Sequence, residues 1–138
     1  MYHRITIAFL CLLISSLIAG CGSPLTVSGK VTHGGKPIED GSISFESPDG
    51  STPSFGGTIT AGTYKIDNVP EATAGKKVVR VVASIKTGKQ IPAGSPAPKG
   101  TMVDEVKRLP ARFNQKSELT ADLRPGTPNV VNFALADK

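Results

Sequence analysis

The chain reads as an all-β domain, a sandwich of seven short strands, and three observations predict it. Val, Thr, Ile and Phe recur in short runs that alternate apolar with polar, the period of a strand with one buried face. Turn residues, drawn from 15 Gly and 11 Pro, separate those runs at intervals of about 8–12 positions, the spacing of sandwich strands. No stretch after the first twenty residues holds a helical period for more than a turn.

The first strand covers residues 25–31, with Leu25, Val27, Gly29 and Val31 on one face and Thr26, Ser28, Lys30 and Thr32 on the other. Gly34-Gly35 supplies the positive φ that a tight hairpin turn requires. After Pro37-Ile38 and a second turn at Asp40-Gly41, residues 42–47 alternate again, with Ile43 and Phe45 inward. Residues 48–53 form a turn-rich loop. Residues 55–60 place Phe55 and Ile59 on one face, although Gly56-Gly57 weakens that strand. Ala61-Gly62 is the next turn, and residues 63–67 put Tyr64 and Ile66 inward and Lys65 outward before Asn68-Val69-Pro70 ends the run.

Residues 77–85 form the strongest strand. Val79, Val81, Ala83 and Ile85 alternate with Val78, Arg80, Val82 and Ser84, and valines on both faces predict a central strand partly covered on its outer side. The stretch from Lys86 to Leu109 has no sustained period; it is expected to be a long exposed loop with at most one helical turn near Val103 to Arg108. Two further strands follow, one with Leu119, Ala121 and Leu123 inward and one with Val131, Phe133 and Leu135 inward. Pro125-Gly126 and Pro128-Asn129 mark the connection between them. Ile43, Tyr64, Val79, Val81, Leu123, Val131 and Phe133 are the predicted heart of the core.

Ahead of the domain lies a different composition. His3 and Arg4 precede an apolar run that ends at Ile18, and Ile18-Ala19-Gly20-Cys21 closes it with small residues and a cysteine. A basic start, an apolar centre and small residues before a cut mark a secretory signal peptide. Cysteine directly after Ala-Gly resembles the lipobox of bacterial lipoproteins, in which that cysteine is lipidated and becomes the first residue of the mature protein. The expected organisation is a signal peptide over residues 1–20 and one domain over residues 21–138, with lipid on Cys21. Gly22 follows where Asp would resemble an inner-membrane retention signal. The expected location is therefore the periplasmic side of the envelope, with the outer membrane favoured.

Cys11 leaves with the signal and Cys21 carries lipid, so no disulfide is expected. No later apolar run approaches the roughly 20 residues a membrane helix needs. The net charge of +5 falls by one when Arg4 is lost, and the remaining basic residues are spread along the chain. A nucleic-acid binder shows a dense basic stripe with interleaved aromatics. Here Phe45, Phe55, Tyr64, Phe113 and Phe133 all read as core or core edge, so nucleic acid is not an expected partner.

The strand pattern carries a family resemblance. Val27-Ser28-Gly29-Lys30-Val31-Thr32 with Gly35-Lys36-Pro37-Ile38 is similar to the opening of carboxypeptidase regulatory-like domains, also called transthyretin-like. Ala61-Gly62-Thr63-Tyr64-Lys65-Ile66-Asp67-Asn68-Val69-Pro70 and Gly75-Lys76-Lys77-Val78-Val79-Arg80-Val81 resemble their middle. Leu109-Pro110-Ala111-Arg112-Phe113-Asn114, Ser117-Glu118-Leu119-Thr120 and Asn132-Phe133-Ala134-Leu135 resemble small bacterial lipoproteins that carry one such domain. The resemblance spans nearly all of residues 25–136 and implies a seven-stranded prealbumin-like, Ig-like β-sandwich. It implies no catalytic residues. Phe113 stands where Tyr is more usual, and Glu71-Ala72-Thr73-Ala74 lengthens the usual Pro-Gly turn.

Residues with chemistry are few. His33, in the turn after the first strand, is the only histidine past the signal, and it reads as a solvated turn residue rather than a general base partnered by a serine. Zinc needs three or four Cys, His or carboxylate ligands, and none converge by spacing. The adjacent carboxylates Glu39-Asp40 and Asp104-Glu105 read as solvated loop charges, with a weak calcium site as the alternative. Lys76-Lys77 and Lys107-Arg108 read as solubilising, and Gly56-Gly57 precedes no helix that would cradle phosphate. The expectation is a non-enzymatic, cofactor-free structural or adaptor lipoprotein that contacts the membrane through Cys21 and meets an envelope protein. The alternative is a glycan- or peptide-binding module, which exposed Phe55 or Phe113 would favour.

Overall fold

The computed structural model describes residues 24–137. Residues 1–23, with the predicted signal peptide and the predicted lipidation site Cys21, and Lys138 lie outside the described residues. The described chain is all-β. Its strands are β1 (Leu25–His33), β2 (Lys36–Pro37), β3 (Asp40–Glu46), β4 (Phe55–Thr60), β5 (Thr63–Val69), β6 (Gly75–Pro92), β7 (Met102–Arg108), β8 (Thr120–Leu123), β9 (Asn129–Val130) and β10 (Phe133–Leu135). Single 3-10 turns at Glu71–Thr73 and Ala111–Phe113 are the helical segments among these residues. No helix here is long and apolar enough to cross a membrane.

The strands form one curled sheet in the order β10-β1-β5-β4-β3-β6-β7. β8 pairs with the start of β6, and β2 and β9 pair with β1. Neighbours are antiparallel except where β1 meets β9 and β10, which run parallel to it. Register follows the pleat. Ile43 lies opposite Val81 and Phe45 opposite Val79, so each pair projects to the same face. All four are buried, whereas Ser42 and Ser44 on the other face stay partly in solvent. One continuous core joins these residues to Val27, Val31, Ile59, Tyr64, Leu123 and Phe133, each buried side chain contributing about 1.5–3 kcal/mol.

Two of the predicted tight turns stand as read, at Gly34-Gly35 and Ala61-Gly62, but Asp40-Gly41 is not a turn: both residues already pair with β4, opposite Thr60 and Ile59, and the chain bends before them at Glu39. Gly34 and Gly35 have φ of 56° and 79°, and Ala61 and Gly62 have φ of 49° and 74°, the two consecutive positive angles of a type I′ hairpin. Gly29 has another reason to be glycine. A Cβ there would lie 1.8 Å from the carbonyl oxygen of Val131, so the backbone of residue 131 fills the inward space a side chain would take. That carbonyl accepts a hydrogen bond from the Tyr64 hydroxyl at 2.8 Å. Burial pushes the Tyr64 phenol well above its ordinary range, so it stays protonated to donate.

The structure corrects the sequence reading elsewhere too. The seven predicted runs are all strands, but ten strand segments occur among the described residues. Of the predicted strand over residues 131–135 only Phe133–Leu135 is strand, as β10; Val131 is half-buried ahead of it, and β9 falls in the predicted connection at Pro128-Asn129. From Lys86 to Leu109 the chain is not a structureless loop: β6 runs on to Pro92 and turns back into β7, so Val103 to Arg108 is strand, not helix. Neither face of this hairpin is buried, and an unburied strand leaves no alternation to read. Finally, Lys77 is 1% exposed, not a solubilising surface lysine. It has the parity of Val79 and Val81 and points inward, opposite Ala121.

Candidate functional site: a projecting hairpin

The hairpin begins where β6 leaves the core. Up to Ala83 the strand lies against β3, and beyond it β6 pairs with β7. Ser84 faces Arg108, Ile85 faces Lys107 and Lys86 faces Val106; the register then shifts and resumes with Gln90 opposite Asp104 and Ile91 opposite Val103. The irregularity falls at Gly88, whose φ of 81° is accessible to glycine at no steric cost. Thr87 bridges it, donating its hydroxyl to Glu105 Oε2 at 2.6 Å and accepting from the Lys89 amide at 3.3 Å. The Thr87 hydroxyl holds the Glu105 carboxyl below the usual carboxylate range. At the tip, the Ala93 amide donates to the Thr101 carbonyl at 2.8 Å.

Both faces of the hairpin mix aliphatic and charged side chains. Met102, Val103 and Val106 are 48%, 43% and 54% exposed, and Ile91 is 41% exposed. Lys89, Lys99, Lys107 and Arg108 supply positive charge around them. β7 is an edge: β6 is its one strand partner among the described residues. An unpaired edge presents backbone N–H and C=O groups that accept an added strand, and the Asp, Glu, Lys and Arg in β7 are the kind of charge that keeps such an edge from pairing indiscriminately.

The predicted carboxylate pairs converge here in an unanticipated way. Lys86 Nζ lies 2.9 Å from Glu39 Oε2 and 3.9 Å from Asp104 Oδ2, so one lysine joins a member of each pair and ties the root of the hairpin to the turn before β3. The hydrogen bond to Glu39 raises the Lys86 ammonium above its ordinary value. The charge that sits between those carboxylates is the lysine's own, and among the described residues no three His, Cys, Asp or Glu gather as metal ligands.

His33 is less solvated than its turn position suggests, with a side chain 11% exposed. Its Nε2 is 3.2 Å from Asp137 Oδ1 and its ring meets Phe113 edge-on at 6.3 Å. Arg112 stacks 4.7 Å over the same Phe113 ring and donates to the Ala136 carbonyl. Together they clasp the residues after β10 against the end of β1. No serine hydroxyl is hydrogen-bonded to His33 among the described residues. Phe113 is buried, and Phe55 is half-buried in a stack on Phe45 at 5.1 Å, so neither forms an exposed aromatic platform.

A second, shallow depression of about 580 Å³ lies on the outer face of β1, β4 and β5, lined by Ser28, Lys30, Thr58, Thr60, Thr63 and Lys65 with others. What these surfaces offer is binding chemistry: an open backbone edge, exposed aliphatics and hydroxyls.

The hairpin was only half legible. Its exposure followed from Pro, Gly and basic residues, but its strand pairing left no hydrophobic period. Limited proteolysis checks the geometry. Trypsin is expected to cut first after Lys99, at the tip outside both strands, leaving a nicked but folded domain. First cuts at Lys65 or Arg80, mapped by mass spectrometry, would show that the hairpin is packed more tightly than β5 or the part of β6 that lies against β3. Compared with known proteins, the chain matches no family model, no curated protein and no solved structure.

Proposed function

We propose that this chain is a non-catalytic, lipid-anchored β protein of the cell envelope, an adaptor that presents its β6–β7 hairpin to an envelope protein. We read the curled sheet as a prealbumin-like sandwich of the carboxypeptidase regulatory-like kind, whose two arms face each other across the core. The observation that carries the adaptor reading is the hairpin: it exposes Ile91 on β6 and Met102, Val103 and Val106 on the edge strand β7, while the large aromatics are packed in or against the core. Exposed aliphatics beside open backbone groups are the features strand-addition interfaces use.

The anchor rests on Ile18-Ala19-Gly20-Cys21. Several acyl chains hold a protein where one does so only marginally. Replacing Cys21 with Ser is expected to release the domain from the membrane fraction or stall its processing. A mutant that stays in that fraction at its mature size overturns the lipid anchor. For the adaptor role, a photo-crosslinking residue at Val106 in the full chain is expected to trap a discrete species in intact envelopes, and the same residue at Lys65 is not. Equal yields from the two positions overturn the role of the hairpin. The hydroxyl-lined depression over β1, β4 and β5 favours a second reading, glycan binding, in which the Thr and Ser hydroxyls meet sugar hydroxyls.

A further inference from the structure

Lys77 is the unusual residue of the core. A side chain with a charged end is almost never fully buried unless it is paired, and leaving a buried ammonium uncompensated costs several kcal/mol. Lys77 is 1% exposed. Its stem runs inward beside Val79, and its Nζ donates to Thr52 Oγ1 at 2.6 Å. Among the described residues no carboxylate lies within ion-pair distance of it. An ammonium carries three N–H donors, and a neutral hydroxyl does not balance its charge.

Lys77 lies in the wall of a pocket of about 310 Å³ that Ser47, Asp49, Ser51, Thr52 and Lys76 also line, the low end of the range for small-molecule sites. The pocket sits at the end of the core, under the loop that joins β3 to β4. Asp49, its one carboxylate, is turned to the loop itself: Oδ1 accepts from the Ser47 hydroxyl at 2.5 Å and the Ser51 amide at 3.0 Å. These bonds, the Ser47 hydroxyl first, hold its carboxyl well below the usual carboxylate range, so it is ionised. Two lysines against one aspartate leave one positive charge unmatched.

We propose that this pocket is a binding site for a carboxylate monoanion, with the Lys77 ammonium as its charged floor and the Ser51 and Thr52 hydroxyls as its polar wall. A monoanion cancels the unmatched charge; a phosphate dianion overshoots it, with Asp49 close by. The carboxylate belongs to a peptide C-terminus or to a sugar acid, and both share the chemistry read here.

The test uses the full chain in detergent with 13Cε-labelled lysine, titrated at constant ionic strength with acetate, inorganic phosphate, glucuronate and an N-acetylated dipeptide bearing a free C-terminus. Acetate is expected to shift the Lys77 Cε resonance saturably, and phosphate to bind several-fold more weakly. The tighter of glucuronate and dipeptide identifies the source of the carboxylate. Lys77→Met keeps the stem length without the charge and should weaken binding about tenfold or more, the scale of a lost charge-assisted hydrogen bond. Asp49→Asn removes the opposing charge and should tighten binding, which keeps the proposal testable if Lys77→Met folds poorly. No saturable shift with any probe, phosphate tighter than acetate, or no tightening in Asp49→Asn overturns it.

Discussion

Phe45→Ala is expected to destabilise the domain by about 3–5 kcal/mol, the cost of truncating a fully buried aromatic. Phe45 is 0% exposed and sits opposite Phe55 of β4 on one side and Val79 of β6 on the other. Its ring stacks on Phe55 with an interplanar angle of 5° and leans on Tyr64 at 6.1 Å. Alanine would open a void that three strands border. A loss of that size is a large share of the roughly 5–15 kcal/mol that holds a domain folded. Urea unfolding measures it, with Lys65→Ala as the control: Lys65 is exposed and ion-paired with Asp67 at 2.9 Å, and its loss should cost no more than about 0.5 kcal/mol. Should Phe45→Ala fail to fold, Phe45→Leu gives a graded value, since a swap nearer in volume costs less. Equal losses for Phe45 and Lys65 would mean the inner and outer faces of the sheet are reversed.

Gly29→Ala is the second large effect, and it arises from one methyl group. A Cβ at residue 29 would stand 1.8 Å from the Val131 carbonyl oxygen and 2.6 Å from its carbon. Both are backbone atoms with no rotamer to yield. To admit the methyl, residue 131 must move off β1, straining the bond from its amide to the Ser28 carbonyl at 2.8 Å and the one from Tyr64 to its own carbonyl. Overpacking costs typically about 1–3 kcal/mol and more where relief is blocked, so at least 3 kcal/mol is expected. Gly94→Ala at the hairpin tip meets nothing within 4 Å and should fall within about 0.5 kcal/mol of the parent. A Gly29→Ala protein as stable as Gly94→Ala would show that β9 and β10 do not seat on β1 as described.

These two residues show what the sequence made legible and what it hid. Phe45 was placed inward by strict alternation with Ser44 and Glu46, because β3 buries one face and wets the other. Gly29 also fell on the inner face, but nothing in its neighbours said that another segment's backbone would occupy the space. Parallel pairing of β1 with β9 and β10 leaves no local mark, since it joins residues a hundred positions apart. Lys77 was legible by parity with Val79 and Val81 and was lost to the general rule that lysines are exposed. The β7 strand left no pattern at all. Its faces are both wet, so its side chains answer to solubility and contact rather than to a core.

The seating of β9 and β10 on β1 also governs when the domain can assemble. Lys30 donates its amide to Asn132 across 102 positions of chain, and Val31 and Thr32 face Phe133 and Ala134 in register. The hairpins β4–β5 and β6–β7 close over short distances and can form as soon as their residues exist. The β1 ladder cannot be completed until residues 129–135 have emerged, and such non-local pairings are the slow steps of folding. Until then the chain keeps an open edge along β1 and an unfilled place where Phe133 and Leu135 will sit. A domain so arranged keeps its core open to solvent, however early its local hairpins form, until β9 and β10 arrive to close it.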